Sequence, residues 1–321
     1  DDNVPVREGR DMYEAVSAHT DDIYYHEQPG AGHWWDGDAS AGADCVDWPP
    51  LFDLMTERRL DPYELEFDFK SPTPSTSATH SYVTLHAASS PYEDMSLTAS
   101  ASGSNATLST TNVLSLSLQG DALLEQGITS ISVNGETLSV EEGEMRVGSD
   151  SQKDSDSYGP FNQVLERPFV LVYPDDGHEA YRRYAAYLLS NWSVTGNGHG
   201  AALGLSELTD AMRAQYNVIY IGIPQSDVPE TVTADIEWST TAIRIGDRSE
   251  SGLAAVFVQP SESGGLFGVM TATEGKEAVL FRYQPFASRF SAPDFFTFGK
   301  SGASYSGFFD AQWQYQSSLV Q

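Results

Sequence analysis

The chain has 321 residues, 40% of them hydrophobic and 12% aromatic, and carries 46 acidic against 17 basic side chains for a formal charge of −29. That length allows two or three domains with sizeable cores. Acidic charge spread along the whole sequence excludes a basic nucleic-acid groove and attraction to anionic lipid, and no apolar run reaches membrane-spanning length. The expected surface is a solvated acidic one, as in salt-adapted proteins; the alternative is an acidic patch that attracts cationic substrates.

Residues 1–59 read as the end of an α/β sheet. A helix is predicted from about Val6 to Ala18, with Met12, Ala15, Val16 and His19 on one stripe. Ile23 to Glu27 is aromatic and β-branched and reads as a strand. The loop Pro29-Gly30-Ala31-Gly32-His33-Trp34-Trp35 follows. Asp47 then reads as the cap of a second helix, with Pro49 and Pro50 in its first turn and Leu51, Phe52, Leu54 and Met55 on its buried side.

Residues 60–148 change to alternation and predict an antiparallel β-sandwich. The clearest strands are Leu65–Phe69, Tyr82–His86, Val113–Leu118 and Ile128–Val133, and Asn134-Gly135 is a hairpin turn leading into Glu136-Thr137-Leu138. Ser149 to Tyr158 is rich in Ser and Asp and reads as a linker, placed at 149–160. Residues 161–321 read as an α/β (α+β) domain with a β-rich end. It holds an apolar strand Phe169–Tyr173, a helix from Glu179 to about Trp192, a helix capped by Ser206 and a strand Val218–Gly222, giving a small parallel layer. Shorter strands are expected near Ala242, Val256, Val269, Leu280 and Phe296. The predicted fold class is therefore mixed.

The residues with the clearest chemistry are Asp1 and His33. An acid ending a strand and a His on a later Gly-flanked loop follow the order Ser…Asp…His of the α/β-hydrolases. In such a site the carboxylate orients the imidazole, which takes the proton of a serine. No serine of the sequence stands in a G-x-S-x-G elbow, so the nucleophile is expected upstream, in a longer enzyme of which this is the C-terminal portion. Asp2 reads as a turn or cap acceptor. Trp34 and Trp35 divide between a wall of the substrate pocket and packing beneath the histidine loop.

Cys45, the only cysteine, excludes an internal disulfide and reads as a small buried apolar residue. Asn105-Ala106-Thr107 and Asn191-Trp192-Ser193 match the glycosylation pattern. No spacing suits a metal, and no cofactor is expected. Gly196-Asn197-Gly198-His199-Gly200 looks like a phosphate cradle but lacks its strand-to-helix context, and reads as a flexible surface turn. The aromatic-rich end, with Trp238, Phe295, Phe296, Phe308, Phe309 and Trp313, reads as core, with a sugar-stacking platform as the alternative.

Asp1-Asp2-Asn3-Val4 followed by Gly30-Ala31-Gly32-His33 resembles the end of the catalytic domain of the prolyl oligopeptidase family of serine peptidases. The Asp-Asp-Asn form is most similar to the dipeptidyl-peptidase branch. The resemblance covers residues 1–59, and the remainder is similar to the tail of secreted or environmental hydrolases that carry this catalytic domain. It implies Asp1 as triad acid, His33 as triad base and Asn3 at the position that contacts a substrate carbonyl, although Asn3 equally suits local backbone bonding. Gly32-His33-Trp34-Trp35 departs from the plainer peptidase loop, so a peptide or an ester is the implied substrate. A secreted or periplasmic setting is favoured over the cytoplasm. The rival reading is a non-catalytic polymer-binding or surface protein.

Overall fold

The computed structural model describes residues 3–35, 45–46, 48–175, 179–250, 254–283, 293–299 and 302–321. The chain divides into two units, Asp1–Asp61 and Pro62–Gln321. The fold is mixed α/β and mostly sheet, with several antiparallel sheets.

The first unit holds two helices, α1 (Val6–Ser17) and α2 (Pro49–Glu57), close to the predicted spans. Pro49 and Pro50 open α2, where the missing N–H costs nothing. Its N-cap position is Trp48 with no side-chain cap bond, and Asp47 lies outside the described residues. The predicted strand at Ile23–Glu27 does not form, because nothing among the described residues pairs with it in a ladder. The predicted buried face of α2 is also absent: neither helix has a buried residue, and Phe52 and Met55 are 49% and 62% exposed.

The second unit opens with nine strands: β1 (Phe67–Ser71), β2 (Thr79–His80), β3 (Val83–Ala88), β4 (Met95–Ser102), β5 (Asn105–Thr111), β6 (Val113–Gln119), β7 (Ser130–Val133), β8 (Glu136–Ser139) and β9 (Glu144–Gly148). A short helix, α3 (Gly120–Glu125), follows β6. The strands form one sheet in the order β1-β4-β5-β7-β8 and another in the order β2-β3-β6-β9. Both contribute to a single core that includes Leu85, Met95, Leu97, Leu108, Leu116, Leu118 and Ile131. In β4 and β5 the pattern is period two, with Met95, Leu97, Ala99, Ala106 and Leu108 buried between Ser and Thr.

Asn134 and Gly135 have φ of 49° and 91°, and Val133 pairs with Glu136 across this two-residue turn, as the Asn-Gly pair predicts. One pairing departs from the all-antiparallel expectation. β5 and β7 run parallel, because β6 and α3 supply the crossover that a parallel pair requires.

The Ser- and Asp-rich stretch after β9 is not a solvated tether. Lys153 and Tyr158 within it are buried, and it is bonded to the end of the chain through Gln152 and Lys153 N–H groups on the Ala311 carbonyl. Beyond it come β10 (Phe169–Tyr173), α4 (Glu179–Thr195), β11 (Ala201–Gly204), α5 (Asp210–Gln215), β12 (Asn217–Ile221), β13 (Ile236–Trp238), β14 (Ile243–Ile245), β15 (Arg248–Glu250), β16 (Ala254–Pro260), β17 (Leu266–Ala272), β18 (Phe295–Gly299), β19 (Gly302–Phe309) and β20 (Tyr315–Val320). β13, β14 and β15 form a small sheet. The others build an eight-stranded sheet, β11-β10-β12-β17-β16-β18-β19-β20, parallel through its first four members and antiparallel from β17 onward.

The central strands β12, β16 and β17 are buried almost throughout, which accounts for their unbroken apolar runs. α4 packs Tyr181, Tyr184, Ala185 and Leu188 inward. The Tyr181 hydroxyl donates to Ala272 O and the Tyr184 hydroxyl to Tyr283 O, both at 3.1 Å. Two local expectations fail here. Thr209, not Ser206, caps α5, and Leu280 sits in a 3-10 turn (Glu277–Arg282) rather than a strand. The Ser206 N–H and hydroxyl are instead held by Asp175.

Candidate functional site

In the first unit the segment after α1 is tied to that helix by charge. Arg10 forks onto Glu27 through Nε and Nη2 at 2.6 and 2.7 Å, and the Tyr25 hydroxyl donates to Glu27 at 2.7 Å. These donors, Arg10 first, hold the Glu27 carboxyl down at about 2. Tyr25 also stacks on Tyr13. With the segment fixed, a turn at Gly30 (φ 75°) carries the chain into His33.

The unit contains an aromatic cavity of about 550 Å³, lined among others by Tyr24, His26, Trp35, Cys45, Trp48 and Leu54. The His26 imidazole stacks on Trp48 with centroids 4.5 Å apart, and Tyr24 meets the same indole at 5.4 Å. Trp35 lines this cavity. Trp34 takes neither expected role. It is 73% exposed, outside the cavity lining, with its ring edge-to-face to His33 at 5.5 Å.

His33 is half-buried beside the cavity residues in sequence but is not part of the lining. Asn3 is exposed, and Asp1 and Asp2 lie outside the described residues. Cys45 is half-buried in the cavity wall rather than deep in a core. His26 and Trp48 are the residues sequence reading passes over. Neither has a motif, and only the return of the chain at α2 brings them together.

One serine does meet a histidine. Ser117 Oγ on β6 lies 2.9 Å from His86 Nε2 on β3, and Glu144 Oε1 on β9 is 3.6 Å from the same nitrogen. A triad requires its carboxylate on the opposite nitrogen, yet His86 Nδ1 is buried with no hydrogen-bond partner. Ser117 and His86 are 4% and 5% exposed, so no substrate reaches them. Burial, with the Arg146 charge, pushes the His86 pKa down. This is a polar knot in the sheet, not an acyl-transfer site.

No protein-family model matches the chain, and no curated protein matches it.

In the second unit a smaller polar crevice of about 210 Å³ lies at the carboxyl ends of β12 and β17, lined by Tyr181, Gly222, Pro224, Ser239, Thr271 and Glu277 among others. Ligands of open α/β sheets favour that edge. Gly222 (φ 69°) lets Tyr181 pack against bare backbone, since a Cβ there would enter the tyrosine ring. The Gly196–Gly200 loop has a structural explanation. A Cβ on Gly196 would stand 2.5 Å from the Trp192 indole and one on Gly198 closer still, and both N–H groups turn to the Trp192 carbonyl. The glycines make room for a tryptophan, not for a phosphate.

Asn191 of the second glycosylation pattern has a buried Nδ2 within α4, which closes it to modification in the folded protein. Among the described residues, no three His, Cys, Asp or Glu side chains gather as metal ligands, and no helix is long and apolar enough to cross a membrane. The aromatic end is core. Trp238, Phe295, Phe296, Phe309 and Trp313 are buried, and Phe308 is half-buried with its ring edge-to-face to Tyr92 at 5.2 Å, so five of the six aromatics have no free face for a sugar.

Proposed function

We propose that this chain is the C-terminal portion of a serine hydrolase acting by acyl transfer, related to the prolyl oligopeptidase peptidases, with its nucleophilic serine N-terminal to Asp1. In that reading residues 1–61 close the catalytic α/β sheet, residues 62–148 form a β-sandwich, and the remainder is an α/β appendage. The observation that carries it is the state of the first unit. Two amphipathic helices without a buried residue and an open aromatic cavity accompany His33, as the closing elements of an interrupted sheet would.

His33 takes the serine proton as general base, then returns it to the leaving group, while Asp1 holds the imidazole tautomer and stabilises the imidazolium. The donors that stabilise the tetrahedral oxyanion sit beside the serine. Trp35 and the cavity it lines supply an apolar, water-excluding wall for the acyl or leaving group. A peptide is the favoured substrate and an ester of similar size the alternative. Turnover of a chromogenic peptide and a matching ester by the protein carrying its upstream sequence tests the reading. Folded protein that hydrolyses neither would remove it.

A further inference from the structure

Between the two cores of the second unit lies a pair that the proposed hydrolase chemistry does not use. Lys153, in the stretch after β9, and Asp294, just before β18, are 3% and 0% exposed, and their Nζ and Oδ2 atoms stand 2.5 Å apart. Two aromatic rings face the amine, and the Asp310 carboxylate also acts on it. Lys153 Nζ lies over the rings of Trp313 and Tyr158, at 4.5 and 5.0 Å from their centroids.

The two oxygens of Asp294 are treated differently. Oδ2 accepts from Lys153 and from the Phe309 N–H at 2.9 Å. Oδ1 is buried with no partner. It rests against Gly159, whose φ of 85° and missing Cβ leave room for it. A charged carboxylate with one orphan oxygen in an aromatic interior is an expensive arrangement. Burial raises the Asp294 pKa and lowers that of Lys153, directions that favour the neutral acid and neutral amine over the ion pair.

We propose that Lys153 and Asp294 condense in the folded protein to an intramolecular isopeptide bond. One proton passes from the ammonium to the carboxylate, leaving an amine and a carboxylic acid with Oδ1 protonated. The Nζ lone pair attacks Asp294 Cγ and forms the N–C bond. The nitrogen gives up one further proton to Oδ1, the Cγ–Oδ1 bond breaks, and Oδ1 departs as water. The products are one amide and one water, with no change of oxidation state and no further reactant.

The geometry suits each part of this step. The fold keeps the amine in contact with the carboxyl group it would attack, with Nζ 2.5 Å from Oδ2, so no diffusive encounter is needed. The oxygen that leaves is the one with no hydrogen bond to lose, and the oxygen that stays keeps the Phe309 N–H. A cavity of about 320 Å³ reaches Lys153, Tyr158 and Phe309 and gives the water a place to go. The bond would staple the polar joint after β9 to the start of β18 in the eight-stranded sheet.

Mass spectrometry of the purified, denatured protein tests it. The expected mass is below the sequence mass by one water, and digestion should yield a branched peptide that joins Lys153 to Asp294. K153R, which keeps the cation but presents no primary amine, should show the full mass and only linear peptides. The wild-type measurement stands even if that variant folds poorly. The full sequence mass with separate linear peptides bearing Lys153 and Asp294, or a lost water mapped to any other pair, would overturn the proposal.

Discussion

Gly198→Ala separates a structural glycine loop from an anion cradle. Gly198 has no left-handed backbone to protect, so only space resists a side chain there. Its Cβ would stand 2.5 Å from Trp192 Cε2 and closer still to Nε1. The indole cannot swing away freely, because Phe169 meets it edge-to-face at 5.4 Å and the bare backbone of Gly196 lies against its other ring. Overpacking of this kind costs about 1–3 kcal/mol. At about 2 kcal/mol, the melting temperature of a unit this large should fall by about 4–8 °C.

The decisive form of the experiment is a double-mutant cycle read by urea unfolding. Trp192→Ala opens the space, so adding Gly198→Ala to it should cost no more than a few tenths of a kcal/mol, a coupling of about 2 kcal/mol between the two sites. An equal penalty with and without the tryptophan, or no penalty in either background, would refute the reasoning.

The remaining predictions concern cores, pH and salt. Leu85→Ala, at a fully buried position, should cost about 2–5 kcal/mol, whereas Met55→Ala, 62% exposed on α2, should stay within about 0.5 kcal/mol, both read from denaturant midpoints. His86 has its folded pKa below the ordinary value of about 6.5, so the unfolded chain binds its proton first and stability falls as pH drops below that value. His86→Gln should flatten that part of the midpoint-versus-pH curve between pH 7 and 5, and an unchanged slope would place the pH dependence elsewhere. With a charge of −29, screening should raise the melting temperature between about 0.1 and 1 M salt, where the Debye length shrinks from about 10 to 3 Å; a flat response would mean the carboxylates do not crowd one another.

Much of the fold was legible because local pattern and tertiary context agree. β10 and β12 are continuous apolar runs buried on both faces, and Asn134-Gly135 can close only a tight hairpin. β4 and β5 escaped because their buried positions are mostly Ala and single Leu or Met among Ser and Thr, a weak signal despite its clean period. The segment 149–158 read as a linker because its polarity hid one buried lysine. Lys153 is inside only because Asp294, far away in sequence, waits for it.

The candidate site was less legible. The sequence singles out His33, Trp34 and Trp35, of which only Trp35 lines the cavity, and the cavity is made with His26, Tyr24 and Trp48, which no spacing rule connects. The predicted strand at Ile23–Glu27 shows the converse. An aromatic, β-branched sequence has strand propensity, yet a strand exists only with a neighbour to receive its hydrogen bonds.

The central claim is that His33 serves as the base for a serine N-terminal to Asp1. Fluorophosphonate labelling of the natural full-length protein, wild type against His33→Ala, tests it most directly. The account predicts a single labelled serine upstream of Asp1 in the wild type, and labelling reduced by several orders of magnitude in the folded variant, as loss of a triad member requires. No labelling of the folded wild type, or labelling undiminished by His33→Ala, would contradict it.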